Sequence, residues 1–257
     1  MSLIAVASAK FSPGATTLAQ LLVLRRPSER RCLLVDCDPA GSEWLLRPGL
    51  APEPGLVTLA MAGRRELPAG AVLEHTQTVG DHRLEVVVAP VAARRATSAL
   101  DILGERLGPH LVSLADIDVV VDCGRLDQRS PALGLLRVAD LVVLVGRPAV
   151  SDMVHMGPWV EQLGADRLAV VLVGSGRGGQ VGYDPQEIAD GLGVPVLGLL
   201  ADDASAAARL FAQPGSLVGM WRTRLVRSAS ELAASAFAVA AQHTVQPSIA
   251  SQERVIS

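Results

Sequence analysis

Seven short runs rich in Val, Leu and Ile recur along the 257-residue chain, and each is followed by a segment whose apolar residues fall at helical spacing. A run that is apolar at successive positions is buried on both faces, which is the habit of parallel strands sandwiched between helices. The expected strands are Leu3-Ala7, Cys32-Asp36, Leu84-Ala89, Asp118-Asp122, Leu141-Val145, Leu168-Val173 and Val194-Leu199. Helices are expected at about 14–25, 97–107, 130–138, 151–164, 184–192, 204–212 and 222–241. One start is well marked: Asp184 as N-cap, Pro185 in the first turn and Glu187 at the third position form a capping box. This alternation predicts an α/β fold, a doubly wound and mostly parallel sheet flanked by helices.

Composition supports one such domain over residues 1–242, followed by a tail over 243–257 that loses helical periodicity and offers few apolar anchors. Pro48, Pro52, Pro54 and Gly55 mark a loop after the second strand rather than a domain boundary. A formal charge of −3 excludes a nucleic-acid binder driven by overall charge. Cys32, Cys37 and Cys123 have no metal-ligand spacing and leave one unpaired in any disulfide scheme, as expected of a cytoplasmic protein. The longest stretch without Asp, Glu, Lys or Arg, Leu232 to Gln252, contains Pro247 and several Gln and Ser residues, so no membrane-spanning helix is expected. The apolar start of the chain reads as a buried first strand.

Ligands of an open parallel sheet bind at the carboxyl ends of its strands. The loop after the first strand reads Ala9-Lys10-Phe11-Ser12-Pro13-Gly14-Ala15-Thr16-Thr17. The second strand ends in Asp36-Cys37-Asp38-Pro39, and another ends in Val120-Val121-Asp122-Cys123-Gly124. A strand, a tight loop and a helix start present amides and a positive dipole end to an anion, and acidic residues after buried strands suit a metal role. Asp36 and Asp38 also fit the commoner role of turn residues.

These three loops resemble the MinD/ParA family of P-loop ATPases, SIMIBI-class NTPases whose first loop is the deviant Walker A motif xKGGxGKTT. The resemblance covers nearly the whole chain and includes Ala139-Asp140-Leu141-Val142-Val143 and Val194-Pro195-Val196-Leu197-Gly198. It is similar in particular to actinobacterial MinD-like proteins with a KGSPGxTT style of loop, related to the TadZ/CpaE localisation proteins. The resemblance implies ATP and Mg²⁺ as cofactors. It casts Lys10 as the signature lysine that reaches a partner's phosphates across a nucleotide-sandwich dimer. Ser12, Gly14, Ala15, Thr16 and Thr17 fall on the phosphate loop, with Thr16 on Mg²⁺. Asp36 and Asp122 fall on the metal side, and Asp38 on the water-positioning residue.

The loop departs from the motif. Ala15 stands where a lysine contacts the β- and γ-phosphates, Phe11 and Ser12 stand where the motif has glycines, and Pro13 offers no N–H. A charge-assisted contact is worth about 1.5–3 kcal/mol, so its loss weakens triphosphate binding by about ten- to a hundredfold. Hydrolysis is expected to be slow or absent, leaving a dimerising switch or a pseudo-ATPase scaffold, with a DNA-partitioning ATPase of normal turnover as the third alternative. Lys10 is the single lysine of the chain against 22 arginines, which marks the position as chosen for a slender point charge.

The family's adenine-reading Asn is replaced after Val173 by a run from Gly174 to Gly179. The resemblance implies a homodimer and a protein partner from a partitioning, division or pilus/secretion system. Nonspecific DNA is not favoured: the clusters Arg222, Arg224, Arg227 and Arg25, Arg26, Arg30, Arg31 read as solvated helix faces without interleaved aromatics. The residues after Gln242 hold one base, Arg254, so a basic amphipathic membrane anchor is not expected.

Overall fold

The computed structural model describes residues 1–11, 13–174 and 183–244. Eight strands form: β1 (Leu3–Ser8), β2 (Arg31–Asp36), β3 (Gln77–Val79), β4 (Leu84–Val87), β5 (Ile117–Arg125), β6 (Leu141–Gly146), β7 (Leu168–Gly174) and β8 (Val196–Ala201). They make one sheet in the order β3-β4-β2-β5-β1-β6-β7-β8, parallel except for β3. The seven expected strands are all present. β3 was not expected, because Gln77-Thr78-Val79 has no apolar run; it forms by pairing antiparallel with β4, Thr78 opposite Glu85. Pairing with an existing edge supplies what its own sequence does not.

Helices cover both faces. On one lie α1 (Ala15–Leu24), α9 (Ala204–Ala212) and α10 (Arg224–Thr244). On the other lie α2 (Leu56–Ala62), α3 (Ala71–Glu74), α4 (Ala93–Leu103), α5 (Leu107–Val112), α6 (Leu133–Val138), α7 (Val150–Leu163) and α8 (Pro185–Leu192). Alternate residues of each strand serve the two layers: Ile4 and Val6 of β1 pack with α1 and α10, whereas Leu3, Ala5 and Ala7 pack with the opposite helices. Every residue of β1 is buried, and each fully buried Val or Leu contributes about 1.5–3 kcal/mol, so burial on two sides fixes β1 at the centre.

The expected helix at 97–107 is corrected. α4 starts four residues earlier and stops at Leu103, where Gly104 takes φ 52°, and α5 follows a short 3₁₀ turn. α2 and α3 were not foreseen, being too short at seven and four residues to show a period. The stretch from Pro48 to Gly55 is a loop, with a cis peptide bond before Pro54. The Asp184 capping box forms as read: its side chain accepts from Gln186 N–H at 2.8 Å, and its own N–H donates to Glu187 at 2.9 Å. α10 runs three residues past its expected end, to Thr244; the tail beyond it and the glycine run from 175 to 179 lie outside the described residues. No described helix is long and apolar enough to cross a membrane.

Candidate functional site

The chain leaves β1 through α1, builds β2 to β5 on one side of it and β6 to β8 on the other, so β1 is the topological switch point of the sheet. The loops after β1, β2 and β5 converge there on a cavity of about 480 Å³, lined by Gly14, Ala15, Thr16, Thr17, Asp36, Asp38 and Asp122 among others. That is ample for a nucleotide-sized ligand. Gly14 caps α1 at φ 110°, in the left-handed region, and the amides of the first turn have no intrahelical acceptor. Phe11 also has positive φ, 56°, a conformation that costs a residue with a side chain about 1–2 kcal/mol. The loop therefore keeps a glycine's backbone with an aromatic residue in it. The Ser8 hydroxyl donates to the Phe11 carbonyl at 3.3 Å, while the ring is 53% exposed and does not line the cavity. Ser12 lies outside the described residues.

Opposite the helix start, Asp36 and Asp122 are register partners on adjacent strands, each 1% exposed. Asp36 accepts N–H bonds from Asp38 at 3.2 Å and Ala89 at 3.3 Å. Asp122 accepts the Gly124 N–H at 3.1 Å on Oδ1 and has the Thr16 hydroxyl beside its carboxylate, while its buried Oδ2 makes no well-formed hydrogen bond. Burial pushes Asp36 up to about 7, with the Asp122 charge adding to the rise. Burial likewise pushes Asp122 up to about 6, restrained by the neighbouring Thr16 hydroxyl and the Gly124 amide. Two buried carboxylates and a facing hydroxyl form a hard oxygen donor set, which suits Mg²⁺. No described group of three or more His, Cys, Asp and Glu side chains forms a metal cage.

Asp38 stands at the cavity wall, where Ala40 N–H donates to its Oδ1 at 2.8 Å. Its pKa is raised by burial, against the pull of the Ala40 amide and the Arg125 charge. Gly124 beneath it has φ 60°, and a Cβ there would come within 2.1 Å of the Asp38 Cγ. The β1–β5 register shifts between Val6 and Ser8, which brings Arg125 beside Ser8 and to the cavity. Bulges of this kind re-aim side chains next to functional sites. Sequence reasoning assigned no role to Gly124, Arg125, Ser42 or Trp44. Gly124 could have been suspected from its place after Asp122-Cys123, but its φ and the seat it gives Asp38 arise only in the fold. Ser42, whose hydroxyl helps hold the Asp36 charge, and Trp44 reach the site by the path of a loop.

Lys10 does not line the cavity: its Nζ rests over the Phe11 ring, 5.4 Å from the centroid. Ala15 is there, 6% exposed and without charge. The charged lining consists of Asp36, Asp38, Glu43, Asp122 and Arg125, so acids outnumber bases four to one. Three arginines of the 25–31 cluster have structural tasks at the far end of the sheet. Arg25 donates to Ser230 at 2.8 Å and stacks on Trp221, Arg26 donates to the Arg30 carbonyl, and Arg31 pairs with Glu85 at 2.5 Å.

An open sheet with a loop and helix start at its switch point and paired acids opposite is a doubly wound α/β architecture, and comparison with solved structures narrows the fold. The chain superposes on a ParA family ATPase from Chlorobium tepidum with TM-score 0.70 at 18% identity, covering 91% of this chain and 97% of that one. It matches the septum site-determining protein MinD complexed with Mg-ADP from Pyrococcus horikoshii with TM-score 0.71 at 18% identity, covering 94% and 98%. It matches an ATP complex of McdA from Cyanothece with TM-score 0.69 at 13% identity, covering 93% and 96%. No protein-family model matches the sequence, and no curated protein does. The fold is that of the MinD/ParA ATPases.

Proposed function

We propose that the protein is a MinD/ParA-type nucleotide-binding switch that takes ATP with Mg²⁺. The observation that carries this reading is the buried Asp36–Asp122 pair set against the Thr16 hydroxyl at the start of α1, with Oδ2 of Asp122 lacking a well-formed hydrogen bond. A buried carboxylate oxygen without a well-formed hydrogen bond costs about 1–3 kcal/mol, which a bound cation and its waters relieve. Thr16, Asp122 and Asp36 hold the metal. Gly14 and the first-turn amides of Ala15, Thr16 and Thr17 face the phosphates, together with Ser12 from the sequence motif. Asp38 positions water.

Hydrolysis is slow or absent in this scheme, because no lysine stands at Ala15 and phosphoryl transfer depends on such charges. Lys10, outside its own cavity, serves a partner protomer's phosphates in an ATP-dependent homodimer. The bound state recruits a protein partner of a partitioning, division or pilus/secretion system in the cytoplasm, without dependence on nonspecific DNA. The proteins it resembles in structure, a ParA family ATPase and MinD, support that theme.

A second reading, a pseudo-ATPase scaffold that binds no nucleotide, is favoured by the four-to-one excess of acids in the cavity lining. Isothermal titration of ATP, ADP and GTP in Mg²⁺ separates the two. Heat of binding for ATP over GTP supports the switch, and its absence for all three leaves the scaffold.

A further inference from the structure

Arg47 is the one buried lysine or arginine among the described residues, 6% exposed. Its guanidinium stacks 3.9 Å from the Trp44 ring centroid and 5.2 Å from that of Phe211, and Nη1 donates to the Gln20 side-chain oxygen. No carboxylate pairs with it among the described residues. Three donors buried together have no acceptor: Nε of Arg47, Nε1 of Trp44 and Nε2 of Gln20. A buried cation in a cluster of unmatched donors is costly unless a negative charge compensates it.

The helix places that charge. Gln20 follows Thr16 by four residues on α1, so both lie on one face about 6 Å apart. Thr16 lines the cavity and Trp44 forms part of its wall. The guanidinium gripped by Gln20 thus sits one helical turn below Thr16, behind the indole. Asp122, Glu43 and Asp36 all act on its charge, and Asp122 feels it in return, so the field reaches the acidic floor of the site.

Resting on the function proposed above, we propose that Arg47, clamped by Gln20 and Trp44 below the Thr16–Asp122 pair, supplies from behind the cavity wall the positive charge that Ala15 withholds from a bound triphosphate. The ammonium missing from the loop is replaced by a guanidinium that acts through a low-dielectric wall rather than by contact. In the nucleotide-free protein the same cation opposes Mg²⁺ at the carboxylates, so metal and nucleotide favour entering together.

The test titrates the full chain and its Arg47→Met, Arg47→Lys and Arg47→Met/Ala15→Lys variants with Mg-ATP and with Mg²⁺ alone, alongside thermal melts without ligand. A charge at this range in a poorly solvated wall is worth about tenfold in affinity. The expected result is that Arg47→Met binds Mg-ATP about tenfold more weakly and Mg²⁺ alone more tightly, and melts no lower than the wild type. Arg47→Lys stays near the wild type, and adding Ala15→Lys to Arg47→Met restores the affinity. Unchanged Mg-ATP affinity in Arg47→Met, together with a lower melting temperature, shows a purely structural arginine and overturns the proposal while leaving nucleotide binding intact. A wild type that binds no nucleotide overturns the functional reading itself and this proposal with it. Should Arg47→Met not fold, Arg47→Gln makes the same comparison.

Discussion

In the function proposed above, the chemistry turns on Ala15. It occupies the first position of α1, at the cavity, with a methyl group where the motif it resembles has a lysine. Ala15→Lys is expected to tighten Mg-ATP by about ten- to a hundredfold, read by isothermal titration. Lys10→Ala is expected to abolish ATP-dependent dimerisation, read by light scattering on a sizing column with and without Mg-ATP; a dimer that persists removes Lys10 from the shared site. Gly124→Ala forces a Cβ into the Asp38 carboxylate at a left-handed φ, and is expected to destabilise by about 1–3 kcal/mol in urea unfolding. The Asp36–Asp122 pair sets a pH dependence. Both carboxyls titrate higher in the folded protein, at about 7 and about 6, than the ordinary 3.8. Between these values the folded state holds more protons than the unfolded state, so stability without ligand falls as pH rises from about 4 to about 7 and then levels. Asp122→Asn is expected to flatten that slope in melts across this range, and an unchanged slope assigns the effect elsewhere.

At the scale of elements, α8 carries the best-specified terminus. Its Asp184 cap was legible in sequence because a capping box is local, needing four consecutive residues and no tertiary partner. Asp184→Ala is expected to cost about 1 kcal/mol, measured as a lowered urea midpoint at unchanged slope. The packing of α5 against α3 could not be read that way. His110 of α5 is 7% exposed and accepts the Val72 N–H of α3 at 3.4 Å, and burial lowers its pKa. Its contribution is present above the ordinary histidine value of 6.5 and is lost as pH falls through 6.5 toward its lowered folded value, opposite in sign to the carboxylate pair. β3 makes the same point about non-local structure, since its three residues become a strand only on the β4 edge.

For the molecule as a whole, ligation should appear as stability. Binding to the native state alone raises ΔG by RT ln(1 + [L]/Kd), about 2.7 kcal/mol at a hundredfold excess over Kd. Mg-ATP is therefore expected to raise the melting temperature by several degrees, and no shift at millimolar nucleotide leaves the scaffold reading. The sequence by itself determined the seven parallel strands, the longer helices between them to within a few residues at most positions and the three loops that meet at the site, because continuous apolar runs, helical spacing and Gly/Asp/Thr punctuation are properties of neighbouring residues. Only the tertiary structure decided that Asp36 and Asp122 lie opposite each other, that Gly124 makes room for Asp38, that Lys10 rests on Phe11 outside the cavity, and that Arg47 is buried behind its wall. Those facts depend on strand register and the path of a long loop, which join residues far apart in the chain and leave no pattern along it.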